Sequence, residues 1–104
     1  MDFKREEKDG FAHVTIDGSV SIYETPALKA VFQECLEGFS GLVLHLGPVT
    51  ECDVAGIQLL LSARAASKQT GKAFAISTMS APIIEIMARA GLNPPTLFEN
   101  SEEV

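Results

Sequence analysis

Pro48-Val49-Thr50-Glu51-Cys52-Asp53-Val54-Ala55-Gly56-Ile57 is an Asp-x-x-Gly step that joins an apolar strand-like run, Leu42-Val43-Leu44-His45-Leu46, to an apolar helix-like run. A strand feeding into a helix in this way is the junction of an α/β domain. The N–H groups of a helix's first turn have no intrahelical acceptors and carry partial positive charge, so the junction favours a carboxylate, a phosphate or a partner's oxygen. Val54 and Ala55 bring no hydroxyl, thiol or imidazole to it.

Working outward, Leu42–Leu46 is nearly continuous in apolar residues, the pattern of a central strand buried on both faces, and Gly47-Pro48 stops it. Asp53 is the expected N-cap of a helix over Val54–Thr70, with Gly71 as its C-terminal stop. Upstream, residues 3–17 read as a hairpin: Lys8-Asp9-Gly10 is a turn signal, and His13 and Thr15 alternate with Val14 and Ile16. Gly18-Ser19-Val20-Ser21 reads as a loop. Thr25-Pro26 reads as an N-cap followed by proline at the first helical position, and Leu28, Val31, Phe32, Cys35, Leu36 and Phe39 form one helical stripe ended by Gly38 or Gly41. Downstream, 72–77 is a strand. Ser80 caps a third helix that runs through Ala90, with Ile83, Ile84, Ile86, Met87 and Ala90 inward and a Glu85–Arg89 pair on its wet face. Pro94–Phe98 permits a last strand. The order β-β-α-β-α-β-α-β predicts an α/β fold, a mixed four- to five-stranded sheet with helices packed on it, in a single domain over 1–104.

Composition narrows the function classes. A formal net charge of −6, with the eight Lys and Arg residues scattered, disfavours direct nucleic-acid binding and suits a partner with a basic face. No apolar run approaches the length a bilayer needs and the first residues lead into charge, so no membrane insertion and a cytoplasmic location are expected. Cys35 and Cys52 form no C-x-x-C and have no paired His nearby, which leaves neither a disulfide framework nor a zinc site. Cys35 reads as a small core hydrophobe. Glu51 and Asp53 flank Cys52 and oppose thiolate formation. There is no phosphate-binding glycine loop and no metal-ligand spacing, and His13 and His45, on separate strands, read as structural. No enzyme and no cofactor are expected.

Together the hairpin, the Gly18 loop, the first helix, the Leu42–Leu46 strand, the Asp53-x-x-Gly56-Ile57 turn, the helix ending at Gly71, the next strand and Ala88-Arg89-Ala90-Gly91-Leu92 resemble the STAS domain. That family includes bacterial anti-sigma factor antagonists and the cytoplasmic tails of sulphate transporters. The resemblance spans nearly the whole chain. It implies a bacterial signalling module that regulates transcription by binding protein. In typical antagonists the turn reads Asp-Ser-Ser-Gly or Asp-Ser-Thr-Gly, and a partner kinase phosphorylates the residue after the aspartate. The unmodified domain binds a kinase-type anti-sigma factor and releases sigma, and phosphate at the helix start breaks the contact. That position here is Val54, so the acceptor is missing. Thr50 and Ser62 are weak substitutes, as are Ser19 and Ser21.

The resemblance puts the partner surface at the start of the second helix and the adjoining loop: Asp53, Val54, Ala55, Gly56, Ile57, Gln58 and Leu61, with Ser19 and Tyr23. Asp53 reads chiefly as an N-cap and Gly56 as a packing residue. The second helix is apolar around much of its circumference, which makes Ile57 and Leu61 candidates for partner contact unless the neighbouring helices cover them. The expected partner is an anti-sigma factor kinase or other signalling protein, and a homodimer stays open. The alternatives are a STAS accessory subunit of an ABC-type lipid transport system and a small-ligand or nucleotide sensor.

Overall fold

The structure, a computed structural model, describes residues 1–92; the expected Pro94–Phe98 strand lies outside them. The elements in chain order are β1 (Asp2–Lys8), β2 (Phe11–Val20), α1 (Thr25–Gly38), β3 (Gly41–Leu46), β4 (Val49–Cys52), α2 (Val54–Gln69), β5 (Ala73–Met79) and α3 (Ala81–Arg89). β1 and β2 form the expected antiparallel hairpin, in register from Asp2 opposite Asp17 to Lys8 opposite Phe11. Asp9 and Gly10 turn it with positive φ at both positions, as a tight two-residue hairpin turn requires. β3 lies parallel to β2 on one side and to β5 on the other, giving a mixed sheet in the order β1-β2-β3-β5.

The region before α2 departs from the sequence expectation. Gly18-Ser19-Val20 is not loop but the end of β2, which pairs in parallel with an additional strand, β4. Thr15 of β2 pairs with His45, Gly18 with Val49 and Ser19 with Glu51, so β4 resumes the β3 pairing after the Gly47-Pro48 interruption, first one and then two residues out of step. A proline cannot donate to a ladder, which is why the run breaks there and the extension is easily missed. The sheet therefore has five strands.

Among the described residues the three helices leave one face of the sheet uncovered. Leu42, Leu44 and Leu46 are buried while Val43 and His45 are half-buried, so β3 alternates instead of being buried on both sides as expected. Leu28, Phe32, Cys35 and Leu36 of α1, Ile57, Leu59, Leu60 and Ala63 of α2, and Ile83 and Met87 of α3 close the core over Ala12, Val14 and Ile16. Ile84 and Ala90, expected inward, are exposed, because a nine-residue helix on a sheet edge needs only a narrow stripe. Glu85 and Arg89 form no ion pair; the ion pair among the described residues is Arg5–Glu34, 3.0 Å. No helix of the described residues is long and apolar enough to cross a membrane.

Two caps also differ. The α1 N-cap is Glu24, whose carboxylate accepts from the Ser21 hydroxyl at 2.6 Å and the Ser21 N–H at 2.9 Å, while Thr25, the expected cap, donates its hydroxyl to the Ile22 carbonyl. Those bonds, the hydroxyl's first, hold the Glu24 carboxyl below its ordinary range. Ser80 sits at the N-cap of α3, but its hydroxyl makes no capping bond and is buried without a partner among the described residues.

Candidate functional site

Asp53 is the centre of the junction. It is the N-cap of α2 in extended backbone, and Oδ1 accepts from the Gly56 N–H at 3.1 Å. Oδ2 accepts from the Ile22 N–H, also at 3.1 Å, and the Asp53 N–H donates to the Val20 carbonyl at 3.3 Å. One carboxylate thus fixes both the first turn of α2 and the loop between β2 and α1. The cap that the sequence indicated is there; the second bond, across 31 residues, is tertiary and had no local signal.

The loop and the helix start held this way carry bare apolar side chains. Tyr23 is 87% exposed, Ile22 62% and Val54 53%. Gln58 is exposed, and Ser19 and Ala55 are half-buried. Gly56 and Ile57 are buried and Leu61 is half-buried against the core, because α2 lies between α1 and α3 and both flanks are covered. The extra apolar circumference of α2 therefore belongs to packing, and Ile57 is part of the core. Ile22 is the exposed residue the sequence reading missed; its signal was an isoleucine among the polar residues Ser21 and Glu24.

Gly56 is required by space. A Cβ there would lie 2.7 Å from Cys52 Sγ and from the Val20 carbonyl oxygen, and 3.0 Å from Val20 Cγ1, so the start of α2 sits directly on the end of β2. Burial, and then the Asp53 charge, push the Cys52 thiol up to about 11, leaving it protonated and inert at neutral pH. Cys35 is fully buried in the core, as expected of it.

Beside Asp53 opens a cleft of about 420 Å³ at the carboxyl ends of the parallel strands, between β4 and α3. Its ionic lining is Glu51, Asp53 and Glu85 against Arg89, so the charge balance favours a cation over an anion. Thr50 and Ser19 line it too, Thr50 exposed. The Ser21 hydroxyl is engaged by Glu24, and Ser62 is exposed further along α2.

On the uncovered face the structure joins two residues that the sequence left apart. His13 Nδ1 and His45 Nε2 share a hydrogen bond of 2.9 Å, and His45 Nδ1 contacts the Ser77 hydroxyl. Ring centroids 5.2 Å apart with planes at 16° put the imidazoles edge to edge. Burial, then His13, holds His45 below its ordinary range. His13 sits at the outward position of an alternating strand and could be read so; His45 lay in a run expected to be buried on both faces, and neither its face nor the adjacency of β2 and β3 was legible. Among the described residues no group of three or more His, Cys, Asp or Glu could hold a metal ion.

The family model described as "Mlab, STAS domain" matches residues 3–99. The chain belongs to the STAS domain family. Solved structures carry the same fold. The unphosphorylated form of the anti-sigma factor antagonist SpoIIAA matches with a TM-score of 0.74 and 12% identity, over 89% of this chain and 84% of that one. An anti-sigma factor antagonist from Mycobacterium paratuberculosis matches with a TM-score of 0.67 and 18% identity, over 98% of this chain and 91% of that one. The protein Mglu matches with a TM-score of 0.67 and 15% identity over 75% of this STAS domain, which spans 20% of the Mglu chain. No curated protein matches the sequence significantly.

Proposed function

We propose that this STAS domain is a non-enzymatic regulatory module of the bacterial cytoplasm that binds a kinase-type anti-sigma factor, or a related signalling kinase, through the start of α2. The observation that carries this reading is the Asp53 carboxylate, which locks the β2–α1 loop to the helix start and so presents Ile22, Tyr23 and Val54 on rigid backbone. Exposed aromatic and aliphatic anchors on fixed elements are what a protein interface uses, and the acidic cleft alongside suits a basic side chain of the partner. Gln58 completes the rim, and Gly56 and Ile57 support it from below. Val54 has no atom to phosphorylate, so binding at this position is constitutive.

Calorimetric titration with the kinase-type anti-sigma factor of the same cell tests this. Binding that weakens at least about tenfold in Tyr23→Ala and in Val54→Asp supports it, and wild-type affinity in both sinks it. Incubation with that kinase and ATP should leave the chain unmodified by mass spectrometry; phosphate on Thr50 or Ser62 would overturn the constitutive part.

The second reading, an accessory subunit of an ABC-type transporter, is favoured by the same valine, since a permanently seated subunit needs no release switch. Stoichiometric co-purification with an ATPase subunit, lost in Val54→Asp, would select it.

A further inference from the structure

Among the described residues β1 forms one edge of the sheet, and its seven residues are all exposed. An edge strand of that length is a template for another strand unless its side chains forbid pairing. Here the charges favour one full-length register and oppose the registers next to it. Two copies related by a two-fold axis normal to the sheet pair antiparallel with same-face residues opposed, so registers differ in steps of two residues. With the axis at Arg5 all seven residues pair: Asp2 meets Lys8 twice and Lys4 meets Glu6 twice, four opposite-charge pairs. Sliding two residues one way puts Lys4 on Lys4 and Asp2 on Glu6. Sliding the other way puts Glu6 on Glu6 and Lys4 on Lys8 twice, three repulsive pairs against two attractive Arg5–Glu7 pairs, and Arg5 is already engaged by Glu34.

The residue at the axis is prepared for this. Arg5 meets its own copy, but each guanidinium is held by Glu34 of α1 in its own chain at 3.0 Å, so the axis carries two cations and two anions. Lys4 and Glu6 lie on the uncovered face, opposite Thr15 and His13, where no helix of the described residues obstructs a neighbouring sheet.

We propose that β1 is a self-recognition edge: two copies of this chain join antiparallel through Asp2–Lys8 about an axis at Arg5, making one continuous sheet with both sets of helices on the same side. The surface is distinct from the α2 start, so a dimer presents two Asp53–Val54 sites and engages a partner bivalently.

Sedimentation equilibrium on the full chain tests the pairing. The wild type should dimerise, more weakly as salt rises. Lys4→Glu alone and Glu6→Lys alone each turn two attractive pairs into repulsive ones and should weaken self-association by about tenfold or more. Mixing the two variants restores both pairs between unlike chains, so an equimolar mixture should form heterodimers that neither variant forms as a homodimer. Both residues are exposed, and unchanged circular dichroism confirms the fold. A wild type monomeric at about 1 mM overturns the proposal and leaves the charged edge as a guard against pairing. So does a dimer that both single variants keep. Neither result touches the α2 docking site, which the partner titration tests separately.

Discussion

Gly56→Ala is the most informative single substitution, because general helix energetics and this structure predict opposite signs. In an unconstrained helix, glycine to alanine gains about 1 kcal/mol by reducing backbone entropy. Here the added methyl would lie 2.7 Å from a sulfur and from a backbone carbonyl oxygen, and the carbonyl belongs to β2, which cannot yield without moving the sheet. Overpacking costs about 1–3 kcal/mol, and contacts this short against a fixed backbone belong in the upper part of that range, about 2–3 kcal/mol, which outweighs the propensity gain. A net loss of about 1–2 kcal/mol lowers Tm by roughly 4–16 °C in a domain of this size. Gly38→Ala is the internal control: nothing lies within 4 Å of a Cβ at the end of α1, so that change should leave Tm unchanged or raise it. Urea and thermal unfolding of both variants decide the matter. Should Gly56→Ala prove as stable as the wild type, the close approach of α2 to β2, and the docking geometry resting on it, would be refuted.

Asp53→Ala should cost about 1–3 kcal/mol through the lost cap and the lost bond to Ile22, with faster hydrogen exchange at the Ile22 amide. Asp53→Asn, which offers one carbonyl oxygen, should satisfy one of the two N–H groups and fall between. The Cys52 thiol, at about 11 against an ordinary 9.0, should react with a maleimide about a hundredfold more slowly in the folded protein than in urea at neutral pH. His45 binds its proton less readily folded than unfolded, so the unfolded chain takes up the proton first as pH falls through 6.5. Its contribution to stability is complete above that pH and is lost below it, and Tm should drop from about pH 7 to about pH 5.5 less steeply in His45→Gln. Val54→Ser should change stability by less than about 0.5 kcal/mol, the residue being exposed, and should create a site that the partner kinase phosphorylates.

The parts of the fold that local chemistry dictates could be read directly. The Asp9-Gly10 turn, the α1 stripe and the Asp53–Gly71 limits of α2 each rest on residues within a few positions of one another. What escaped depends on partners distant in sequence. β4 is only four residues long, follows a proline, and is a strand because the end of β2 extends past β1 to meet it. Leu42–Leu46 has the composition of a doubly buried strand, yet three helices on a five-stranded sheet cover one face, and composition does not count layers. At the site, Asp53 and Gly56 were legible as cap and packing residue. The second bond of Asp53 to Ile22 was not, and it is what makes the loop part of the site. Ile57 and Leu61 were over-read for the same reason, since a helix flanked by two others is apolar on three sides.

Partner binding by this domain turns on whether the loop and helix start joined by Asp53 form the docking surface. The most direct measurement is the affinity of the isolated partner kinase for three forms of the chain: wild type, Ile22→Ala with Tyr23→Ala, and His13→Gln with His45→Gln on the opposite face. The docking account predicts that the first double variant loses at least about tenfold in affinity while the second binds as the wild type does. Full affinity in the Ile22 and Tyr23 variant, with loss in the histidine variant, would contradict it and move the partner to the uncovered sheet.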